Sequence, residues 1–262
     1  MRKLALLVAV SVVALSTFEM CSTPPQTQKE EGVAKPELTV NIGSVNLSNF
    51  GRRMEKKDIV AFARTLKKEQ VEILAVQGIT RYPSVPTRPD FVRELSTQAD
   101  MRSAFGEMMN NSGRQTGNAV FSTYPIRSNT SKSFDVKSGT FEAFLQAVVD
   151  GGVRDIMVLS AMLPPKASAD DLSSCVKSIV ALNAPYEKNP VVIAGNLPSS
   201  ASLRAIGSFN DTAEMTGDAG KAGSRFWYAS QGILKALSAH TTETEMGTMV
   251  VVQFGLFRQV QP

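Results

Sequence analysis

Few residues in this chain of 262 amino acids have side chains suited to acid–base or metal chemistry. There is one histidine, His240, so a metal site built from several histidines is excluded. At most one imidazole is available for proton transfer. Carboxylates are paired at Asp170-Asp171 and at Glu243 and Glu245. We interpret these pairs as helix-capping or solvated groups, because they fall at a helix start and in an exposed loop.

A glycine-rich segment at residues 217–224, GDAGKAGS, could suggest phosphate binding. A phosphate-binding loop needs Gly-Lys followed by Ser or Thr, and another glycine five positions before the glycine of that pair. Here Ala222 follows Lys221, and Met215 stands where the first glycine is required. We therefore reject the motif and predict a mobile loop.

The first 20 residues have the order of a secretory signal peptide. Met1-Arg2-Lys3 is basic, and residues 4–15 are apolar except for Ser11. A bilayer core of about 30 Å needs roughly 20 apolar residues, so this run is too short to span it. It has the length of a signal-peptide core. We predict that the protein leaves the cytoplasm and that residues 1–20 are removed.

Cys21 comes soon after this run and precedes a polar, proline-containing stretch. This arrangement resembles the processing site of bacterial lipoproteins, although Met20 stands where those proteins usually have a small residue. We predict that Cys21 carries a lipid such as palmitate. The protein would then be anchored in the cell membrane on its non-cytoplasmic side, periplasmic or surface. The alternative is cleavage by an ordinary signal peptidase, which would leave a soluble secreted protein with a free Cys21.

The rest of the chain divides into a linker and one folded domain. Residues 21–36 contain almost no large apolar side chains and are predicted to be a flexible linker. Residues 37–262 alternate strand-like and helix-like stretches and form the domain. The composition of the whole chain is that of a globular protein, with 43% apolar and 20% charged residues. The net charge of +4 is too small to argue for nucleic-acid binding.

Hydrophobic periodicity predicts strands at residues 38–45, 71–76, 118–122, 144–149, 154–163, 191–194, 232–237 and 248–256. A helix is predicted after Asp58, which would cap it, and a second helix over residues 169–183 with Ser168 as its N-cap. Cys175 lies on the apolar face of the second helix. We predict a buried, inert thiol there.

Several segments resemble, in order, the endonuclease/exonuclease/phosphatase family, which has the DNase I-like fold. The closest match is residues 117–126, GNAVFSTYPI, which is similar to the family's Gly-Asn-Ala, two hydrophobic residues and Ser-Arg-Tyr-Pro-Ile. Residues 45–51, 72–79, 158–163 and 192–198 match further family segments. The resemblance extends over nearly all of residues 38–256. It implies an α/β fold, a four-layer α/β/β/α sandwich of two mixed sheets.

Members of that family cleave phosphoester bonds with a divalent metal ion, and this chain departs from them at the residues responsible. The resemblance places Gly78 where the family has its metal-binding Glu, and Met162 where it has a phosphate-contacting His. Asn196 and Pro198 replace the Asp and Asn of a Gly-Asp-Phe-Asn motif. Each of these changes introduces a neutral group.

Two later catalytic pairs of the family are also replaced. Its Asp-Tyr pair falls on Gln231-Gly232, and its closing Asp-His pair falls on Met246-Gly247. His240 comes too early in the chain to take the place of that histidine. Only Asn46 and Asn118 remain of the polar set. Neutral amides can neither hold a hard divalent cation nor take a proton from water, so we interpret both as amides that tie loops to strand ends.

The segment Phe226-Trp227-Tyr228 holds three adjacent aromatic residues. Successive residues of a strand point to opposite faces, so not all three can point to one core. Aromatic side chains at a surface often mark contact sites. We therefore name Trp227 as a possible contact residue, but we favour ordinary core packing.

Together these observations predict an exported lipoprotein with a catalytically degenerate DNase I-like domain and no cofactor. It would have a binding or structural role at the cell envelope. It would contact the membrane through its N-terminal lipid, and a protein or other envelope partner through the former substrate cleft near Asn46, Asn118, Met162 and Asn196. The alternative is a metal-dependent phosphodiesterase or nuclease with a rearranged active site, which would need Mg²⁺ or Mn²⁺. A third possibility is a structural envelope protein without a discrete ligand.

Overall fold

The structure is a computed structural model that describes residues 35–48, 54–85, 87–133, 143–163, 168–183, 189–197, 209–216, 224–229 and 233–258. Several predictions lie outside these residues. They concern the signal peptide, Cys21, most of the linker, Pro198, the loop at residues 217–223 and Gln231-Gly232.

The strands of the described residues form two six-stranded sheets. The first sheet contains β1 (Leu38–Asn46), β2 (Ile73–Arg81), β3 (Arg102–Asn111), β4 (Arg114–Ser122), β11 (Leu234–Thr244) and β12 (Gly247–Leu256). Its strand order is β11-β12-β1-β2-β4-β3. The β1–β2 pair is parallel, and the other pairs are antiparallel. The first sheet is therefore mixed.

The second sheet contains β5 (Ile126–Ser133), β6 (Ala143–Asp150), β7 (Asp155–Ala161), β8 (Val191–Gly195), β9 (Asn210–Asp211) and β10 (Arg225–Ala229). Its order is β5-β6-β7-β8-β10-β9. Here β7 and β8 form the parallel pair. Each sheet thus has one parallel pair at its centre, and each pair ends in positions that the family resemblance singled out.

Four helices accompany these strands: α1 (Lys56–Lys68), α2 (Phe91–Ala99), α3 (Ala169–Asn183) and the short α4 (Ala213–Thr216). Apolar residues of α1 and α2 share a core cluster with the outer face of the first sheet. Residues of α3 share another cluster with the outer face of the second sheet. No helix of the described residues has both the length and the apolar character needed to cross a membrane.

A third core cluster lies between the two sheets and draws residues from both. In β1, Val40 and Ile42 belong to this central core, whereas Val45 belongs to the helix-side core. Strand side chains alternate between faces, and both faces are covered here, so the strand is apolar on both. The predicted four-layer α/β/β/α sandwich of two mixed sheets is confirmed.

The structure corrects one helix cap and confirms another. The first helix begins after Glu55, and Asp58 is its third residue, whose carboxylate accepts a hydrogen bond from the Glu55 N–H at 2.9 Å. Asp58 therefore caps from inside the first turn. Ser168 caps α3 as predicted, because its hydroxyl accepts from the Asp171 N–H at 3.1 Å and donates to the Asp171 carboxylate at 2.8 Å. Cys175 is buried, as predicted.

All predicted strands are present, but α2, α4, β3, β5, β9 and β10 were not predicted. The sequence of β5, IRSNTSKS, is polar on both faces and lies at a sheet edge. It has no apolar alternation, and its pairing with β6 makes it a strand. Helix α2 has only nine residues and owes its start to Asp90, whose carboxylate accepts from the Val92 and Arg93 N–H groups.

Candidate functional site

The positions that the family resemblance singled out lie at one end of the sandwich. Asn46 ends β1, Gly78 lies in β2, and Asn196 directly follows β8. Met162 directly follows β7, and Asn118 lies in β4 at an irregularity in its pairing with β2. The carboxyl ends of the two parallel pairs meet here. The structure therefore brings together five positions that are far apart in sequence.

Gly78 occupies a position that has no room for a side chain. Its φ is +69°, in the left-handed region that favours glycine. A Cβ atom built on Gly78 would lie 2.8 Å from the Ser48 Cα and 2.9 Å from the Ser48 N and Cβ. Real Cβ atoms essentially never approach backbone so closely. A carboxylate at this position would require the Ser48 segment to move.

Asn46 fixes the segment that fills the space beside Gly78. Its side-chain Oδ1 accepts a hydrogen bond from the Ser48 N–H at 3.0 Å, the local pattern of an Asx turn. The backbone of Leu47 also donates to the Gln77 carbonyl at 2.8 Å. The structure thus gives Asn46 the loop-tying contact that we predicted, and the turn lies directly against β2.

Asn118 joins the two sheets. Its Oδ1 accepts a hydrogen bond from the Gly78 N–H at 3.2 Å. Its Nδ2 donates to the carbonyl of Ser160, in the second sheet, also at 3.2 Å. The side chain is 1% exposed. Both ends of this amide are therefore bonded to backbone, in agreement with the predicted structural contact.

Asn196 is bonded to the backbone in the same manner. Its Oδ1 accepts from the Leu163 N–H at 2.6 Å, and its Nδ2 donates to the Leu163 carbonyl at 2.6 Å. The two contacts require one acceptor and one donor, which an amide supplies and a carboxylate does not. Met162 is half-buried beside this pair, and its thioether has no proton to donate to a phosphate.

Gln77 is the centre of a buried polar cluster that the sequence analysis did not single out. Its Nε2 donates to the Ser160 hydroxyl at 3.1 Å and lies 3.4 Å from the Ala194 carbonyl. Its amide also contacts the Ser44 hydroxyl, which in turn bonds to the Ser224 hydroxyl. The sequence could have pointed to Gln77, because this polar residue directly follows the apolar run of the strand predicted at residues 71–76.

The two remaining candidate positions do not supply catalytic groups. Met246 is buried and packs in the helix-side core of the first sheet. Gly247 has a φ of +103° in the turn between β11 and β12. The His240 ring is engaged elsewhere, with its Nε2 3.0 Å from a carboxylate oxygen of Glu69, just after α1.

Trp227 has the ordinary core packing that we favoured, and its possible contact role is wrong. Its side chain is 0% exposed and packs in the core between the second sheet and α3. Its neighbour Phe226 is equally buried but belongs to the central core between the sheets. Because both faces of this sheet are covered, adjacent aromatic residues point in opposite directions and are still buried. Trp227 is therefore a core residue and not a contact residue.

The side chains at this end of the sandwich do not fit the Mg²⁺ or Mn²⁺ site that the fold family implies. Hard divalent cations are held by carboxylates together with other oxygen ligands. Asn46, Asn118 and Asn196 are neutral, and their amide oxygens already accept from backbone N–H groups. Within the described residues, no group of three or more His, Cys, Asp or Glu side chains could hold a metal ion.

Two groups with shifted pKa values lie at the opposite end of the sandwich. Burial, with a hydrogen bond to Glu72 at 2.6 Å, raises the pKa of the Tyr124 hydroxyl well above its usual range. The Gly152 N–H, with help from Arg127, lowers the pKa of Asp150. Glu72 also lines a cavity of about 440 Å³ at that end, beside the C-terminal ends of α1 and α2. These shifts have structural causes.

Comparison with known proteins gives matches in structure and none in sequence. No protein-family model and no curated protein matches this sequence. Among solved structures, an endonuclease/exonuclease/phosphatase from Beutenbergia cavernae superimposes with a TM-score of 0.65 at 14% identity, over 84% of this chain and 72% of its own. TDP2 from C. elegans gives a TM-score of 0.66 at 13% identity, over 86% of this chain and 78% of its own.

A third structure, the catalytic domain of human Nocturnin with a bound sulfate anion, has a TM-score of 0.63 at 12% identity and covers 86% of this chain and 96% of its own. At such identities the comparison establishes the fold. The chain from β1 to β12 has the DNase I-like fold of the endonuclease/exonuclease/phosphatase proteins.

Proposed function

We propose that this protein is an exported, membrane-anchored lipoprotein whose DNase I-like domain is not catalytic and has a binding or structural role at the cell envelope. One observation carries the proposal. At the two positions where the resemblance implies a Glu and an Asp, the chain has Gly78 and Asn196, and the Asn196 amide is bonded to backbone.

The chemistry of phosphodiester hydrolysis supports this reading. The reaction needs a carboxylate to hold a divalent cation, a base to activate water and donors for the developing negative charge. Gly78 offers no side chain, and the amides of Asn118 and Asn196 each use a donor and an acceptor on neighbouring backbone. None of the three can act as a base at neutral pH.

Two uncharged side chains at the same end of the domain could contact a partner. Asn46 and Met162 are each half-buried and present an amide and a thioether. A partner there would be recognised by hydrogen bonds and apolar contact rather than by charge. This chemistry suits a protein or another uncharged envelope component better than a nucleic acid, whose phosphates call for Lys and Arg.

The membrane anchor is supported by the sequence of the first 25 residues. The basic start, the short apolar run and Cys21 before a polar stretch agree with export and lipidation. A lipid on Cys21 would hold the domain at the membrane through the linker of residues 21–36.

We predict that the mature protein begins at a lipid-modified Cys21 and fractionates with membranes. The test is intact-mass measurement of the mature N-terminus together with membrane fractionation. Cys21→Ser should move the protein to the soluble fraction, whereas Cys175→Ser, at a buried thiol of α3, should leave its membrane association unchanged. An unmodified Cys21 in membrane-associated protein would end the lipoprotein hypothesis.

The alternative function is a metal-dependent phosphodiesterase or nuclease with a rearranged site. The observation in its favour is the fold itself, which the chain shares with structures described as endonuclease/exonuclease/phosphatase proteins. This reading would require Mg²⁺ or Mn²⁺ bound by ligands other than Asn46, Gly78, Asn118 and Asn196. It predicts turnover that EDTA abolishes, whereas the proposed function predicts none.

A further inference from the structure

Three amide side chains hold the backbone together at the end of the sandwich where an enzyme of this fold would keep its catalytic groups. They are Gln77, Asn118 and Asn196, and we call them the amide staple. We infer that the staple requires amide side chains, so that carboxylates introduced at these positions would loosen the domain and would not create a metal site. This inference goes beyond the proposed function, because it holds whether or not a partner binds.

The contacts of Asn196 make the requirement most explicit. Leu163 presents an N–H and a carbonyl to the same side chain, at 2.6 Å each. The Leu163 N–H can only donate and the Leu163 carbonyl can only accept, so the orientation of the amide is fixed. An aspartate at this position would keep the first contact, but it would place an anionic oxygen against the Leu163 carbonyl.

Asn118 imposes the same requirement across the two sheets. Its Oδ1 accepts from the Gly78 N–H in the first sheet, and its Nδ2 donates to the Ser160 carbonyl in the second. Because the side chain is 1% exposed, water cannot screen a charge placed there. An aspartate would be both buried and set against the Ser160 carbonyl.

Gln77 adds further contacts across the sheets. It is 0% exposed, and its Nε2 donates to the Ser160 hydroxyl at 3.1 Å. That hydroxyl then donates to the Val76 carbonyl at 2.9 Å, so the contacts return to the first sheet. The polar atoms in this series of hydrogen bonds are neutral donors and acceptors. A hydrogen-bond network in which every member has a partner favours one arrangement of the two sheets.

Among the described residues, these contacts leave no group of side chains that could hold a metal ion. Gly78 has no room for a Cβ atom, and the three amides face backbone carbonyls rather than an open cavity. A carboxylate introduced at Asn118 or Asn196 would have one oxygen against a carbonyl and no second carboxylate opposite. Mn²⁺ should therefore fail to stabilise such a variant.

The test is thermal unfolding of the whole chain carrying Asn196→Asp or Asn118→Asp, followed by circular dichroism with and without MnCl₂. The control is Asn129→Asp, which adds the same charge at an exposed position of β5. We expect each staple variant to unfold at a temperature at least about 5 °C below the parent, because the donor contact of the amide is lost and a carboxylate oxygen meets the partial negative charge of a carbonyl oxygen. We expect the control to stay within about 1 °C of the parent.

Two results would overturn the inference: staple variants that unfold at the temperature of the parent, or variants whose unfolding temperature Mn²⁺ restores. If a staple variant does not fold, hydrogen exchange of side-chain amides in the parent provides an independent readout. The Nδ2 protons of Asn118 should exchange slowly and those of Asn129 rapidly. Equal, rapid exchange at both would also overturn it.

Discussion

Replacing Gly78 by alanine is expected to lower the free energy of unfolding by about 3 kcal/mol. Two costs add. A non-glycine residue at a φ of +69° carries left-handed strain of roughly 1–2 kcal/mol. The new Cβ atom would also lie 2.8 Å from the Ser48 Cα, and relieving such overpacking costs about 1–3 kcal/mol. Urea unfolding followed by circular dichroism measures the loss.

Gly113→Ala is the matched control for this prediction. Gly113 lies in the turn between β3 and β4 at a φ of +84°, and a Cβ atom there would have no neighbour within 4 Å. The Gly113→Ala variant should carry only the left-handed strain, which would lower its free energy of unfolding by roughly 1–2 kcal/mol. Equal losses at the two positions would mean that Ser48 yields readily. In that case the space beside Gly78 would be open to a side chain, and the family's glutamate could be accommodated.

The second large effect is expected at Trp227, where alanine should cost about 3–5 kcal/mol of unfolding free energy. The side chain is fully buried in the core formed by β6, β7, β8, β10 and α3, so truncation leaves a large cavity. Trp227 is the only tryptophan of the chain, so unfolding must be followed by circular dichroism rather than by fluorescence.

Trp227→Phe separates loss of packing from loss of the indole N–H. The Trp227 Nε1 is buried without a hydrogen-bond partner in the described residues, so phenylalanine removes an unsatisfied donor while keeping most of the apolar volume. Trp227→Phe should lower the free energy of unfolding by less than half as much as Trp227→Ala. A Trp227→Ala variant with unchanged stability would contradict the buried position of this side chain.

The fold could be predicted where the residues of a strand themselves form an apolar or β-branched run. The first part of β2 and most of β12 are runs of apolar and β-branched residues, and these runs were predicted correctly. Strand β5 has no such run, because it is an edge strand whose residues are mostly exposed and are held by their pairing with β6. The error at Trp227 has a related cause. A buried tryptophan next to a buried phenylalanine requires a sheet covered on both faces, which a single strand's sequence does not reveal.

The site could be predicted in its positions but not in its contacts. The family resemblance pointed to Asn118 and Asn196 at the ends of the strands. Their partners, Ser160 and Leu163, are 42 and 33 residues away in sequence, and only the packing of the sheets brings them together. The filled space beside Gly78 likewise depends on the turn at Asn46, which no periodicity in the sequence describes.

The most direct test of the central claim is a phosphodiesterase assay of the purified whole chain. It would use a generic phosphodiester and plasmid DNA, with Mg²⁺ or Mn²⁺, against an EDTA control. We predict no turnover above the EDTA control, because Gly78, Asn118 and Asn196 supply neither a carboxylate to bind the cation nor a base to activate water. Turnover that EDTA abolishes, and that Asn46→Ala or Asn118→Ala removes, would contradict the claim and make this protein an enzyme with a rearranged site.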